Sequence, residues 1–264
     1  MGLLLELQSR IPDRWFLRRL LPAALFVAVA FLGGRLGQSR WNAVSLAKLQ
    51  VAQYLGASSG GGSGAYTAAA VLLYAVAVAA GAFAVPVAAG AVSTLAAGAW
   101  PWWLAPIGDR ALRWRAGRWS APDTIRLAAL RARGDGLTLR AARLEARAAA
   151  ADPTRPRTPT WTGDRLRRAA DKVREQRGLD IETAWVDLLL DLPDNARTAL
   201  VDARDGYDAA CEALAWGVAY AVLGFWWWPA FISGFVLGFS SWRWLRHAVE
   251  LLAATAEAVS RRKG

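Results

Sequence analysis

Apolar residues are concentrated in three long segments that carry no charged side chain. These segments are Leu20 to Gly34, Ala65 to Ile107 and Ala213 to Trp242, and none contains Asp, Glu, Lys or Arg. Charged residues are collected between them instead of alternating with apolar ones. The pattern predicts an all-α integral membrane protein with about four transmembrane helices and a cytoplasmic helical domain between the second and third.

The first apolar segment is short for a membrane span. Fifteen helical residues cover about 22 Å, against a hydrocarbon core of about 30 Å. We therefore expect Phe16, Leu17 and Leu36 to extend it while Arg19 and Arg35 reach the interface. The basic residues before it predict a cytoplasmic N-terminus. The rival interpretation, a cleaved signal peptide, is disfavoured by the long charged region and because no clean A-x-A cleavage site follows the apolar segment.

The second apolar segment, Ala65 to Ile107, has two interpretations: one helix that overruns the membrane, or a hairpin broken near Pro86. One crossing starts after an extracytoplasmic loop at residues 35–64 and returns the following arginines to the cytoplasm, which the positive-inside rule favours. We therefore predict one span, from Ala65 to about Ala89. Trp102 and Trp103 are then expected at the membrane interface.

The third apolar segment contains the tryptophan triplet Trp226, Trp227 and Trp228, directly before Pro229. Thirty residues as one helix would be about 45 Å long, which exceeds the bilayer core. Tryptophan prefers the headgroup level, and proline suits the first turn of a helix. The triplet therefore predicts an interfacial turn between two spans. Gly234 and Gly238 form a G-x-x-x-G pair that would permit close helix packing, although lipid-facing small residues explain it equally well.

The polar region between the second and third segments divides by charge. Asp109 to Arg177 contains 18 Arg or Lys and 8 acidic residues, whereas Gly178 to Cys211 contains 2 Arg and 8 acidic residues. Its predicted helices include one starting near Pro122, one ending at Gly178 and a long one starting near Asp194. We predict three parts: a membrane pair at 1–107, a basic and acidic helical domain at 108–210, and a membrane hairpin with an amphipathic tail helix at 211–264.

Composition supports a membrane protein and excludes several kinds of site. The chain has 264 residues, 55% hydrophobic residues, 15 Trp and a formal net charge of +11. Its single cysteine excludes an intrachain disulfide, and its single histidine excludes a multi-histidine site. Asp187, Asp191 and Asp194 form the nearest approach to a carboxylate cluster, but an acidic helix face and an N-terminal cap explain them better. No catalytic residue, cofactor site or metal site is predicted.

The stretch from Pro159 to Pro193, together with the WWWPA sequence, resembles a family of uncharacterised actinobacterial membrane proteins often labelled vegetative cell wall proteins. The matching residues are Pro159, Thr160, Trp161, Gly163, Asp164, Arg165, Gly178, Leu179, Asp180, Trp185, Leu192 and Pro193. Arg177 replaces a family tyrosine, and Val186 with Asp187 replaces a Pro-Arg pair. The family has no assigned active site, so the resemblance implies no functional residue.

These observations predict a non-enzymatic protein of the bacterial cytoplasmic membrane with both termini in the cytoplasm. Its helical domain would bind anionic lipid, a second copy of the chain or a cytoplasmic protein, and Arg165, Arg167 and Arg168 are the predicted lipid or partner surface. No nucleic acid is expected. The alternative is an oligomeric pore or membrane-perturbing effector. A small-molecule transporter is less favoured because the predicted spans contain no ionisable residue.

Overall fold

The computed structural model describes residues 20–36, 64–151, 154–178 and 192–261. These residues form helices and no strand, which confirms the all-α prediction. The helices are α1 (Leu21–Leu36), α2 (Gly64–Ala96), α3 (Ala105–Arg118), α4 (Pro122–Gly134), α5 (Thr138–Ala150), α6 (Trp161–Arg177), α7 (Asp194–Leu223) and α8 (Trp228–Arg261).

The second apolar segment forms one uninterrupted helix from its start to Ala96, and this helix, α2, continues through Pro86. The alternative of a hairpin broken at this proline is therefore wrong. Ala68–Ala96, 29 residues long, contains an 18-residue stretch with a mean hydropathy of 2.3, and in the described part of the chain it is the one helix that is long and apolar enough to cross a membrane. Leu21–Gly34 is apolar but shorter.

The described contacts divide the chain into two compact units. Unit 1 comprises Met1–Val92 and Arg204–Ala248, and unit 2 comprises Ser93–Ala203 and Val249–Gly264. The boundaries that composition predicts, after residues 107 and 210, differ from these. The last turns of α8, from Val249 onward, therefore belong with the polar helices of unit 2.

In unit 1, α1 packs against α2 and α7 through small residues and aromatic rings. Ala23 of α1, Ala82 of α2 and Trp216 of α7 form a buried cluster. The ring of Phe26 lies 5.7 Å from that of Trp216 and 5.2 Å from that of Tyr220, the second pair edge to face. Such geometries suit the charge distribution of aromatic rings, and they stabilise a core that contains few large aliphatic side chains.

The predicted turn at the tryptophan triplet is present in unit 1. Helix α7 ends at Leu223 and α8 begins at Trp228, so residues 224–227 connect them. The amides of Phe225 and Trp226 donate to the carbonyls of Val222 and Leu223, which closes the turn. Pro229 lies in the first turn of α8, where its missing N–H leaves no backbone partner unsatisfied.

In unit 2, α4 and α5 pack against each other as a short hairpin. Their contact face consists mainly of alanine, with Ala129, Ala132 and Ala141 buried alongside Ile125. Helix α4 starts at Pro122 as predicted, and its N-cap position is occupied by Ala121. Gly136 has φ 76°, which lets the chain reverse direction between the helices without steric strain.

Helix α6 is bounded by two local signals in the sequence. Its N-cap is Thr160, whose side chain accepts a hydrogen bond from the Gly163 amide at 3.1 Å. Its C-cap is Gly178, with φ 70°, as predicted. Its buried residues include Ala169 and Val173, whereas Leu166 and Ala170 are half-buried.

Several predictions lie outside the described residues. They concern the N-terminal arginines, residues 37–63 of the extracytoplasmic loop, and Asp187 and Asp191 of the carboxylate cluster. Asp194 is described, and the long helix α7 begins there as predicted.

Candidate functional site

Asp164, in the first turn of α6, is the centre of a buried polar cluster in unit 2. Its Oδ1 accepts hydrogen bonds from the amide of Arg157 at 2.9 Å, and from the amide and hydroxyl of Thr158 at 2.7 and 3.0 Å. These bonds fold the segment before α6 back onto its first turn. The backbone of residues 157 and 158 is therefore held in one conformation by a single carboxylate.

The second oxygen of Asp164 pairs with a basic residue from α3. Oδ2 lies 2.8 Å from Nη2 of Arg115, and both side chains are largely buried. Oδ2 accepts no directed hydrogen bond within the described residues, so the charge of the guanidinium is what compensates it. Nη1 of Arg115 donates to the carbonyl of Thr158. Arg115 thus links α3 to both sides of the folded segment, and sequence reasoning did not identify it.

Two threonines of the same motif satisfy the carbonyl at the end of α2. The hydroxyls of Thr160 and Thr162 both donate to the carbonyl of Ala96. A helix end leaves its last carbonyls without intrahelical partners, so this contact removes a cost that burial would otherwise impose. A Cβ placed on Gly163 would collide with the carbonyl of Ala97. The sequence Thr-Trp-Thr-Gly-Asp is therefore explained by structural contacts.

A second polar network joins α6 to the last turns of α8. Arg165 donates to Glu250 at 2.8 Å and to Glu257 at 2.6 Å, and Lys172 lies 2.7 Å from Glu257. Ser260 donates to Gln176 further along the same two helices. The partners follow the same order in both helices, so these segments run parallel. The sequence contained an indication of this network. Arg165 and Lys172 are seven residues apart, as are Glu250 and Glu257, so each pair lies on one face of its helix.

The network stabilises the charged form of its members. Burial alone would lower the pKa of Arg165, but hydrogen bonds and attraction from Glu250 and Glu257 outweigh it and raise that pKa. For Glu257, burial acts to raise the pKa, whereas hydrogen bonds from Lys172 and Arg165 outweigh it and lower the pKa below its ordinary value of 4.5. The charge of Arg165 is therefore largely compensated by the carboxylates of Glu250 and Glu257.

An open groove of about 580 Å³ lies beside α6 in unit 2. It is lined by Thr154, Arg155, Arg157, Asp164, Arg165, Arg167, Arg168, Asp171, Lys172, Arg174, Glu175 and Glu257. Seven of these side chains are cationic and four are carboxylates, so the lining carries an excess of three positive charges. A volume of this size is within the range of about 300–1,000 Å³ that ligand pockets span.

The three arginines predicted as a lipid or partner surface all line this groove, but they differ in environment. Arg165 is half-buried and paired with Glu250 and Glu257. Arg168 is half-buried, and its Nε donates to the carbonyl of Asp164 at 3.3 Å. Arg167 is exposed. Sequence reasoning did not single out Arg155 and Arg157, which are exposed and lie between α5 and α6.

The predicted packing glycines lie at the α7–α8 contact in unit 1. A Cβ on Gly234 would collide with the backbone of Ala221, and a Cβ on Gly217 would lie 2.8 Å from the Gly238 Cα. A Cβ on Gly238 would meet nothing within 4 Å. The close approach of α7 and α8 therefore depends on the absence of a Cβ at Gly217 and Gly234. Gly238 contributes only its backbone to the contact.

The predicted interface tryptophans are mostly exposed. In unit 2, Trp102 is 87% and Trp103 is 63% exposed, and in unit 1 Trp226 is 63% and Trp228 is 38% exposed. Trp227 differs because its Nε1 is buried without a hydrogen-bond partner among the described residues. Its side chain instead packs on Gly33 of α1, where a Cβ would lie 2.9 Å from the Trp227 Cβ.

Metal-binding side chains are not clustered in the part of the chain that the structure describes. No set of three or more His, Cys, Asp or Glu side chains there is placed to hold a metal ion. Cys211 is buried in α7, and His247 is exposed on α8. The comparisons with protein families, with curated proteins and with solved structures find no match to the chain.

Proposed function

We propose that the chain is a multi-pass protein of the bacterial cytoplasmic membrane whose role is non-enzymatic. In this proposal unit 1 anchors the protein in the bilayer, and unit 2 is a cytoplasmic helical domain that binds the anionic membrane surface. Both termini lie in the cytoplasm. The protein therefore acts as an anchor or scaffold at the inner face of the membrane.

The observation that carries the proposal is the exposed apolar surface of the unit 1 helices. On α2, the exposed side chains include Leu73 at 71%, Phe83 at 70% and Val87 at 76%. On α8, an exposed stripe contains Phe231, Ile232, Phe235, Val236 and Phe239. A soluble monomer rarely leaves a continuous apolar patch larger than a few hundred Å² in water. In a bilayer, lipid chains would cover this surface, and the free-energy cost of exposing it to water would not arise.

The proposed number of membrane crossings is argued from the lengths of the apolar helices and from the α7–α8 hairpin. The uncharged parts of α7 and α8 are each shorter than a full span, so we propose that their charged flanking turns complete the crossing. The glycine contact between Gly217 and Gly238 favours this arrangement, because short arms need close packing when polar flanks approach the lipid. Together with α1 and α2, the hairpin makes four spans.

The side of the membrane is argued from charge. The basic part of unit 2 follows α2, and basic segments are retained on the cytoplasmic side. The excess of positive charge in its groove suits the anionic headgroups of the inner leaflet, which attract basic segments by about 1 kcal/mol per residue near the surface. A cytoplasmic domain with this charge needs no enzymatic site to explain its composition.

Two experiments test the proposal. Alkaline carbonate extraction should leave the protein in the membrane fraction, and alkaline phosphatase fusions should be active after Gly62 but inactive after Pro156 and Gly264. Phosphatase activity at Pro156 would overturn the cytoplasmic assignment of unit 2. Purified protein in liposomes should not release a trapped dye, and leakage at a low protein-to-lipid ratio would replace the scaffold role with that of a pore.

A further inference from the structure

The groove beside α6 contains more positive charge than its own carboxylates can compensate. Asp164 is already paired with Arg115, which lies outside the groove lining. Glu257 is already paired with Arg165 and Lys172. Two of the four carboxylates are therefore committed to structural contacts.

The remaining carboxylates, Asp171 and Glu175, are exposed on α6. Asp171 lies three residues from both Arg168 and Arg174, a spacing that allows attraction along a helix, and Glu175 follows Arg174 on the same helix. If the negative charges of Asp171 and Glu175 are counted against the positive charges of Arg168 and Arg174, the uncompensated positive charges of the lining are those of Arg155, Arg157 and Arg167. These three side chains are exposed, and none of the ion pairs between described residues involves them. The groove thus has a set of arginines whose charge is available to a ligand.

The framework beneath these arginines is held by buried contacts. The amide of Arg157 donates to Asp164, which fixes the backbone that carries this side chain. Arg167 projects from α6, whose first turn is held by the Thr160 cap and by the pair of Asp164 with Arg115. Fixed anchor points reduce the entropy lost when a ligand orders the guanidinium groups.

We propose that this groove is a binding site for a phosphate-bearing group, held by the guanidinium groups of Arg155, Arg157 and Arg167. A guanidinium presents donors in a planar fork that matches two phosphate oxygens, and such charge-assisted hydrogen bonds are the strong ones. The hydroxyl of Thr154, also in the lining, adds one neutral donor. The phosphate belongs either to a lipid headgroup or to a soluble compound. The proposal deepens the proposed function and rests on it for the cytoplasmic placement of unit 2.

The test uses the full-length protein purified in a neutral detergent, so its result does not depend on topology. Isothermal titration calorimetry measures binding of three compounds: pyrophosphate, short-chain phosphatidylglycerol, and short-chain phosphatidylcholine as the headgroup without net charge. Binding of phosphatidylglycerol but not pyrophosphate identifies a lipid headgroup site. Binding of pyrophosphate identifies a site for soluble phosphate compounds. Either result supports the proposal.

The variant Arg155→Gln/Arg157→Gln/Arg167→Gln should weaken binding by about tenfold or more. Its matched control, Arg131→Gln/Arg140→Gln/Arg143→Gln, removes the same charge from exposed positions of α4 and α5 and should bind like the parent. Thermal unfolding of both variants checks that the fold is kept. The proposal is overturned if the parent binds neither phosphate compound, binds phosphatidylcholine equally well, or loses affinity equally in both variants. These outcomes leave carbonate extraction and the fusion results unchanged, so failure of the groove is distinguishable from failure of the membrane proposal.

Discussion

Arg115 of α3 places its Nη2 2.8 Å from Oδ2 of Asp164 in α6, and only 18% and 7% of the two side chains are exposed. The same carboxylate also holds the amides of Arg157 and Thr158. One acidic residue therefore organises α3, α6 and the segment directly before α6. The importance of this pair for stability follows from its burial, because an ion left without its partner inside a protein is poorly solvated.

We predict that Asp164→Asn destabilises the protein by about 3–5 kcal/mol, the usual cost of removing one member of a buried pair. The substitution leaves Arg115 without its counter-ion while preserving the side-chain shape. Thermal unfolding in detergent, followed by tryptophan fluorescence, measures the effect. The double variant Arg115→Gln/Asp164→Asn should lose less stability than the single one, since no buried charge is left unpaired.

Asp123→Asn is the control for Asp164. Asp123 pairs with Arg126 at 3.1 Å, but 86% of the Asp123 side chain is exposed. Exposed pairs contribute about 0–1 kcal/mol, so this variant should unfold close to the parent. Equal shifts in the two aspartate variants would contradict the role assigned to the buried pair.

Local patterns in the sequence predicted the helix bounds well where a cap or a stop residue was present. Gly178 ends α6 because glycine adopts the left-handed conformation of a helix C-cap, and α7 begins at Asp194, whose negative charge suits the first turn of a helix. Whether the helix would break at Pro86 was ambiguous from the sequence, because a proline weakens a helix by an amount that neighbouring contacts can offset. Its helix continues to Ala96, and only the three-dimensional structure decides this.

The candidate site could be predicted only in part. Arg165, Arg167 and Arg168 were identified as a group from their charge, and all three line the groove. Charge alone does not tell which arginine is already paired, because Glu250 and Glu257 are remote in sequence from Arg165. Arg115 was missed because its partner Asp164 is also remote. The matched seven-residue spacings show which side chains share a helix face, but helical periodicity does not specify which two faces meet in the folded protein.

Gly234 and Gly238 are predicted to respond differently to the same substitution. Gly234→Ala places a methyl group against the backbone of Ala221, and overpacking of this kind costs about 1–3 kcal/mol. Gly238→Ala adds a methyl where nothing lies within 4 Å, and alanine favours the helix by up to about 1 kcal/mol. Thermal unfolding in detergent should thus give a lower midpoint for the first variant and an unchanged or higher one for the second. A loss of stability in Gly238→Ala as large as in Gly234→Ala would contradict the contact.

Glu257 is predicted to contribute stability that depends on pH. Because Lys172 and Arg165 lower its pKa in the folded state, the contribution is fully present above its unfolded pKa, near 4.5. It is lost as the pH falls through the lower folded pKa. The difference in unfolding midpoint between the parent and Glu257→Gln should therefore be constant near neutral pH and shrink below about pH 4.5. Glu145→Gln, which removes an exposed partner of Arg133, is the control and should show a smaller difference at neutral pH.

The contact between Gly33 and Trp227 predicts a strong difference between two adjacent glycines of α1. A Cβ on Gly33 would lie 2.9 Å from the Trp227 Cβ, whereas a Cβ on Gly34 would meet nothing within 4 Å. Gly33→Ala should thus push the indole out of place at a cost of about 1–3 kcal/mol, while Gly34→Ala should leave the unfolding midpoint unchanged or raise it. Thermal unfolding measures both, and the near-ultraviolet circular dichroism spectrum should change only in Gly33→Ala. A common response of the two variants would mean that α1 does not pack on the hairpin turn through this pair.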